Sequence, residues 1–389
     1  MHLRRLQIAS FRSYRQLDLD LTPGSLLFLG DNAQGKSNLL EAVYLLASGR
    51  SRRAGNDSEL ISLQAETVAQ TFARLQATVE RRPGALQLEL LVVGSDGPTR
   101  AGKRYRVNGL PRRARDFVGQ LRAVLFTADD LEIVMGPPAE RRQYLDGPIS
   151  QLDRAYFGAL QRYARILQQR NASLRRIKEG VAGLDELSLW DEAFSREGAA
   201  IVAGRLAAVR RLSALAGAAH AELSGGGEEL TLAYEPQLGE EWRRLLPEDG
   251  DTGAIQPLLA AALVAQRRRE LAAGLSLVGP HRDEVGIHLN RIGAAAYGSR
   301  AQVRTAALAL RLAEARLLTE EGDPPVLLLD DIVSELDERR RRSVLEHIAG
   351  FDQVWFTATA SAGLPAGFVA GCRVFEVRAG EVTRASYPD

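Results

Sequence analysis

The run Gly30-Asp31-Asn32-Ala33-Gln34-Gly35-Lys36-Ser37 has the G-x-x-x-x-G-K-S/T spacing of a phosphate-binding loop. In such a loop, backbone N–H groups and the positive end of the following helix cradle a polyphosphate, so not every oxygen needs its own charged side chain. Lys36 would reach the β and γ phosphates, and the Ser37 hydroxyl would offer Mg²⁺ a hard oxygen ligand. An ordinary glycine turn capping a helix fits the same letters, so the flanking elements carry weight. Further on, Val326-Leu327-Leu328-Leu329 runs into Asp330-Asp331. An apolar strand ending in two carboxylates is the arrangement of a Walker B segment. Asp330 would hold Mg²⁺ through water, and Asp331 would orient or deprotonate the attacking water. The alternative is a strand running into a solvated turn.

These groups need elements to position them. Leu3 to Ile8 and Gln16 to Leu21 alternate with the period of half-buried strands, and Leu26 to Leu29 is a short apolar strand that Gly30 interrupts. Leu39, Leu40, Val43, Leu46 and Ala47 then recur at helical spacing, so the glycine loop lies between a strand and a helix, as a phosphate loop requires. Alternation returns in Thr71 to Glu80 and Leu86 to Val93, Asn108-Gly109 marks a hairpin turn within Tyr105 to Arg112, and Val124 to Phe126 is a short strand. From Asp129 to about Gly274 the pattern is helical, notably over Leu160 to Ile177 and Trp190 to Leu223. Loop signals divide it at Gly180 to Gly183, Ser224 to Gly227 and Pro247 to Gly253. Strand runs return at Val285 to Leu289, Val326 to Leu329, Val354 to Thr357 and Val374 to Val377, between the helical patterns Gln302 to Glu320 and Glu338 to Ile348. The expected fold class is α/β: a lobe built from residues 1–128 and 275–389, with 129–274 inserted as a mainly helical lobe. The insert lacks sustained heptads, which excludes a long coiled-coil arm.

Composition narrows the class. The 389 residues suffice for two or three domains, and 45% hydrophobic with 25% charged residues is a globular balance. No apolar run approaches the roughly 18 residues that cross a bilayer. Arg4, Arg5 and Arg12 interrupt the N-terminal stretch where a secretory signal needs apolar residues, and the single Cys372 suits a reducing compartment, so a cytoplasmic protein without a membrane partner is expected. Net charge is +1, but its distribution is uneven. Of 50 basic residues only Lys36, Lys103 and Lys178 are lysines. Arg100 to Arg115 holds seven basic and no acidic residues, Arg141 to Lys178 nine basic and two acidic, and Glu179 to Asp251 six basic and fifteen acidic.

Tyr297-Gly298-Ser299-Arg300-Ala301-Gln302 precedes a helical run and places Ser299 as a helix N-cap. A serine and free N–H groups there also make an anion site, just before Walker B, where ABC-type ATPases carry their signature motif. Together with Phe11-Arg12-Ser13-Tyr14, the loop Gly30 to Asn38 leading into Leu39-Leu40-Glu41-Ala42, Ser51-Arg52-Arg53, Phe126 to Leu131, Gly136-Pro137-Pro138-Ala139, Gly279-Pro280-His281-Arg282-Asp283-Glu284 and Ser334-Glu335-Leu336-Asp337, these segments resemble the RecF family. That family comprises bacterial recombination-mediator ATPases related to SMC-type and ABC ATPases. The resemblance covers nearly the whole chain and implies an ABC/SMC-like ATPase head with a helical second lobe.

It further implies ATP and Mg²⁺ as cofactors, with Gly30 to Asn38 holding the nucleotide. Two heads would sandwich ATP, Ser299 and Gln302 of one meeting the γ-phosphate on the other, with Asp337 at the same interface. Arg53 matches an arginine aimed at phosphates, although a solvated surface arginine is the simpler alternative. The implied function is ATP-dependent binding of double-stranded DNA and single-strand/double-strand junctions in gap repair. With it come weak DNA-dependent ATP hydrolysis as a switch, a link to the SOS response, and assistance to RecR and RecO in loading RecA. The arginine-rich segments 100–115 and 141–178 would neutralise DNA phosphates. The alternatives are a transporter nucleotide-binding subunit and a metal-dependent nuclease relative. Against the family pattern, Ala33 and Ala301 stand where glycine is usual, and no glutamine occupies the region after Phe126 where relatives place their Q-loop ligand, Asp129 or Asp130 being the available substitute. The Gly-Pro-His-Arg-Asp run is expected to be structural or to position DNA.

Overall fold

A computed structural model describes the chain except residues 63–71, 95–101, 239–243, 248–249, 362–363 and 386–389. Thr71, Arg100 and part of the loop from Pro247 to Gly253 lie outside the described residues. Two compact units are present: Met1–Asp130 with Leu308–Asp389, and Leu131–Ala307.

The N-terminal segment contributes β1 (His2–Phe11), β2 (Tyr14–Asp20), β3 (Gly24–Leu29), β4 (Phe72–Glu80), β5 (Leu86–Val93), β6 (Gly102–Val107), β7 (Leu110–Arg112) and β8 (Ala123–Phe126). Six of these form an antiparallel sheet in the order β2-β1-β4-β5-β6-β7. In β4 and β5 a fully buried residue alternates with a more exposed one, the period that made them readable. The β6–β7 hairpin turns at Asn108 and Gly109 with φ of 51° and 76°, as a type I′ turn requires.

The second unit is mainly helical, with Pro138–Leu152, Arg154–Lys178, Asp185–Ser224 and Thr252–Ala273 as its long helices. Asp153 caps the second of these by accepting from Ala155 N and Tyr156 N, while Arg175, Arg176 and Lys178 complement the dipole at its other end. Within the stretch expected to be helical lies a strand, β9 (Leu230–Glu235). It pairs antiparallel with β10 (Glu284–Leu289), which in turn pairs with β11 (Ile292–Gly293). This pairing corrects the expected boundary: β10 folds with the helices, so the second unit closes at Ala307 and not at Gly274. Local periodicity cannot register a pairing between strands so far apart in sequence.

Helix Arg300–Glu320 leads back into the first unit, followed by β12 (Val326–Asp330), helix Glu338–Ile348, β13 (Gln353–Ala358), β14 (Cys372–Arg378) and β15 (Glu381–Arg384). These strands join β3 and β8 in a sheet of order β15-β14-β3-β13-β12-β8, parallel except for the β14–β15 pair. β3, β13, β12 and β8 are almost entirely buried, which is why they read as apolar runs. Phe28 stacks on Trp355 and on Phe375 with centroids 5.0 Å apart in each pair, and the helix Lys36–Ser48 contributes most of its residues to the same core. One strand, β13, separates β3 from β12, so the glycine loop and the paired aspartates emerge on one carboxyl edge, where α/β sheets bind ligands.

Candidate functional site

The loop after β3 is built by close backbone approach. The Gly30 N–H donates to the Ala358 carbonyl over 3.3 Å. A Cβ on Gly30 would lie 2.2 Å from the Val377 carbonyl oxygen, so only glycine lets β14 pass. Gly35, at φ 112°, precedes helix Lys36–Ser48 and provides no side-chain cap, which suits a helix N-terminus that takes an anion. Tyr14 donates to the Gly35 carbonyl over 3.0 Å, and burial raises its pKa so that it stays a donor. Lys36 is folded across the loop, with Nζ donating to Gly30 O at 2.6 Å and Asp31 O at 2.9 Å. Burial lowers its pKa, and the charges of Asp331, Asp330 and Asp31 act against that shift.

Ser37 is half-buried in the first turn, and Asp31, Asn32 and Ala33 are exposed. Ala33 has φ 64°, the left-handed backbone in which a methyl costs about 1 kcal/mol. The side chains of Gln34 and Asn38 hold the loop itself. Gln34 Oε1 accepts the Ala379 N–H at 2.7 Å and its carbonyl accepts the Gly380 N–H at 3.0 Å, while Asn38 Nδ2 donates to Ser13 Oγ at 3.0 Å.

Asp330 ends β12 opposite Thr357 of β13. Thr357 Oγ1 donates to Asp330 Oδ1 over 2.7 Å and accepts the Asp331 N–H over 2.9 Å. This buried threonine thereby fixes both members of the acidic pair, and Asp331 takes a left-handed φ of 56°. Sequence reading gave Thr357 no role, because its part depends on strand register. The donor set fits Mg²⁺: a hydroxyl at Ser37 and a carboxylate at Asp330 are hard oxygens, and the strand order brings both to the same carboxyl edge of the sheet.

Ser51 Oγ accepts from Arg53 N at 3.0 Å and Ala54 N at 2.9 Å and donates to Glu41 Oε1 at 2.5 Å. Arg12 grips the same Glu41 with two bonds of 2.8 and 2.9 Å. The Arg53 turn is thus anchored to helix Lys36–Ser48, while Arg53 itself is exposed. Asp130 joins Arg52 at 2.7 Å and Arg311 at 2.8 Å; burial opposes its ionisation, but the two guanidinium groups outweigh burial and lower its pKa. It is committed to that network, whereas the neighbouring Asp129 is exposed. Asp337 caps helix Glu338–Ile348, accepting from Arg340 N at 2.9 Å and pairing with its side chain at 2.5 Å. The backbone bond is the main reason its pKa is lowered.

In the second unit, Ser299 and Gln302 form a capping box at helix Arg300–Glu320. Ser299 N donates to Gln302 Oε1 at 2.8 Å and Gln302 N to Ser299 Oγ at 3.3 Å. Ser299, Arg300 and Ala301 are exposed there, and the neighbouring Tyr297 is 79% exposed.

The Gly-Pro-His-Arg-Asp run is a packed turn. A Cβ on Gly279 would lie 2.4 Å from the Tyr163 hydroxyl, which instead bonds His281 Nδ1 at 2.7 Å. Arg205 reaches the Pro280 carbonyl at 2.6 Å and Asp146 with two bonds of 2.9 Å. Asp283 takes the Tyr234 hydroxyl and the Gln237 N–H.

The basic segments divide as well. Across 141–178, Arg141 pairs with Glu284, Arg162 with Glu197, Arg170 with Asp191 and Glu270, and Arg176 with Glu186, so much of that patch serves the fold. In 100–115, Lys103 pairs with Asp57 and Arg106 with Glu89, whereas Arg104, Arg112 and Arg113 are exposed and unpaired among the described residues.

Comparison with known proteins agrees with this geometry. Residues 2–364 match the family model described as RecF/RecN/SMC N terminal domain. The DNA replication and repair protein RecF of Chloroflexus aggregans is 43% identical, covering 98% of this chain and 99% of that protein. RecF of a Synechococcus strain is 41% identical over 98% and 97%. Solved structures of the recombination mediator protein RecF of the RecFOR pathway, RecF-ATPrS and RecF-ATP, superpose with a TM-score of 0.87 at 32% identity, covering 99% of this chain and 98% of theirs. A Smc head from Pyrococcus furiosus, 15% identical with a TM-score of 0.53, shares the fold. This chain, an ABC/SMC-like head by its fold, belongs to the RecF family of DNA replication and repair proteins.

Proposed function

We propose that this chain is an ATP-switched DNA-binding protein of recombinational gap repair. The observation that carries the reading is the shared carboxyl edge of β3 and β12, where the phosphate loop, Lys36 and the paired aspartates converge in a chain of this family. The end-to-end similarity to RecF-ATP supports ATP as the nucleotide. Backbone N–H groups from Gly30 to Asn38 cradle the phosphates, and Lys36 exchanges its two loop carbonyls for β and γ oxygens. Ser37 and, through water, Asp330 would hold Mg²⁺, which would supply neutralisation of phosphate charge. Asp331 orients the attacking water and accepts its proton; its side chain is one methylene shorter than a glutamate and gives slow turnover.

Two heads close on ATP, each bringing Ser299 and Gln302 to the other's γ-phosphate with Asp337 at the interface and Arg53 near the phosphates. DNA phosphates meet Arg104, Arg112 and Arg113, the cations of segment 100–115 that are exposed and unpaired among the described residues. Duplex and junction DNA, RecR with RecO, and indirectly RecA are the partners, in the cytoplasm. Among the described residues no helix is long and apolar enough to cross a membrane.

Retention of ATP-dependent DNA binding is the test. Lys36→Ala should abolish it, and Lys36→Arg should keep part of the nucleotide binding with poor hydrolysis, because a planar guanidinium fits a compact phosphate pocket badly. Unchanged ATP affinity and turnover in Lys36→Ala would remove this loop from the site.

A further inference from the structure

The capping box on helix Arg300–Glu320 continues beyond Gln302. Gln302 Nε2 donates to Glu228 Oε1 over 2.7 Å, and His220 Nε2 donates to Glu228 Oε2 over 3.1 Å. Ser299, Gln302, Glu228 and His220 all belong to the second unit. A carboxylate only accepts hydrogen bonds, so at this contact the Gln302 amide has one orientation, with its NH₂ toward Glu228 and its carbonyl toward Ser299. The 2.8 Å bond from Ser299 N to Gln302 Oε1 follows from that orientation. Ser299 Oγ accepts the Gln302 N–H, which uses a lone pair and leaves the hydroxyl hydrogen to be directed at another group.

Glu228 is held in place from both sides. It follows the glycine turn that closes helix Asp185–Ser224 and precedes β9, where Glu229 exchanges two 2.9 Å bonds with Asn290. His220 is fully buried on the same helix, so the carboxylate rests against a packed wall. No sequence motif includes Glu228.

We propose that Glu228 is a positioning residue of the signature segment. Its carboxylate sets the Gln302 amide and, through it, holds the Ser299 N–H and hydroxyl in the arrangement that meets a nucleotide phosphate carried by a second copy of the chain. This rests on the reading that Ser299 contacts phosphate across an ATP-bound dimer.

Hydrogen exchange at the Ser299 amide and ATP-dependent self-association of the full chain test it, in the parent and in the Ala301→Gly background. Glu228→Ala should speed exchange at Ser299 and weaken the dimer about tenfold, the scale of one charge-assisted hydrogen bond, with nucleotide affinity of the single chain unchanged. Gln302→Ala should behave alike, and the double variant should add little, as a coupled pair requires. Glu228→Gln keeps an acceptor oxygen and should recover most of the loss. Gln302→Ala removes a half-exposed side chain, so its melting temperature and nucleotide affinity serve as the folding control. Normal exchange and normal dimerisation in Glu228→Ala, with dimerisation lost in Ser299→Ala, would overturn the proposal. Normal dimerisation in Ser299→Ala would instead overturn the dimer reading, leaving Glu228 nothing to position.

Discussion

At Ala33 the backbone has φ 64°, a conformation that glycine adopts without strain and alanine does not. Ala33→Gly should therefore remove about 1 kcal/mol of strain from the phosphate-cradling conformation of the loop and tighten single-chain ATP affinity by up to about fivefold, measured by nucleotide titration. Equal affinities would mean that the loop keeps its shape at no cost. Thr357 makes a second residue-scale prediction. Thr357→Val keeps the volume but removes both bonds to the acidic pair, so Mg²⁺ should tighten nucleotide binding about tenfold less than in the parent, whereas Thr357→Ser should behave like the parent. A valine variant with normal Mg²⁺ dependence would show that β12 holds its aspartates without help. Lys36, Ser37, Asp330 and Asp331 were legible in the sequence because their chemistry is written in covalent spacing. Thr357 and Glu228 were not, since each matters only through a partner brought close by folding.

The elements were legible where one face is buried and the period is local. β5 and helix Glu338–Ile348 have the bounds their patterns predict. β9 was missed because what defines it is pairing with β10, and the second unit therefore extends to Ala307. Within that unit, the turn carrying His281 joins helices Arg154–Lys178 and Asp185–Ser224 through Tyr163 and Phe194. Burial lowers the His281 pKa to about 4; the Ser276 carbonyl works the other way, and Arg282, Arg142 and Arg170 add to the lowering. In the unfolded chain this group returns to its ordinary value of 6.5. Between these values the unfolded chain binds a proton that the folded chain refuses. The stabilisation is thus complete above about pH 6.5 and lost as pH falls toward about 4, on the order of 3 kcal/mol in all. Urea unfolding across that window should show this slope in the parent and a shallower one in His281→Gln. Identical slopes would assign the acid sensitivity to other groups.

For the whole molecule, sequence gave the charge distribution but not which charges are internal. Of the two basic segments, 141–178 has four of its nine cations, Arg141, Arg162, Arg170 and Arg176, paired with Glu284, Glu197, Asp191, Glu270 and Glu186, which lie elsewhere in the chain. In the hairpin segment, Arg104, Arg112 and Arg113 are exposed and unpaired among the described residues, and these are the cations proposed to meet DNA phosphates. The proposed two-headed state would likewise leave no mark in a single-chain pattern, because the ligand joining the heads would be shared between copies. Ala301 adds an exposed methyl where one head is proposed to touch the other's γ-phosphate. Sedimentation velocity of the parent and of Ala301→Gly, with and without ATP and duplex DNA, is the direct measurement. The account predicts that ATP alone shifts Ala301→Gly toward dimer more strongly than it shifts the parent, with single-chain ATP affinity equal in the two, and that DNA co-sediments with the ATP-bound form. If ATP leaves sedimentation of both proteins unchanged, or if Ala301→Gly changes single-chain affinity and not the dimer constant, Ser299 to Gln302 is only a helix cap and the ATP-sandwich account is contradicted.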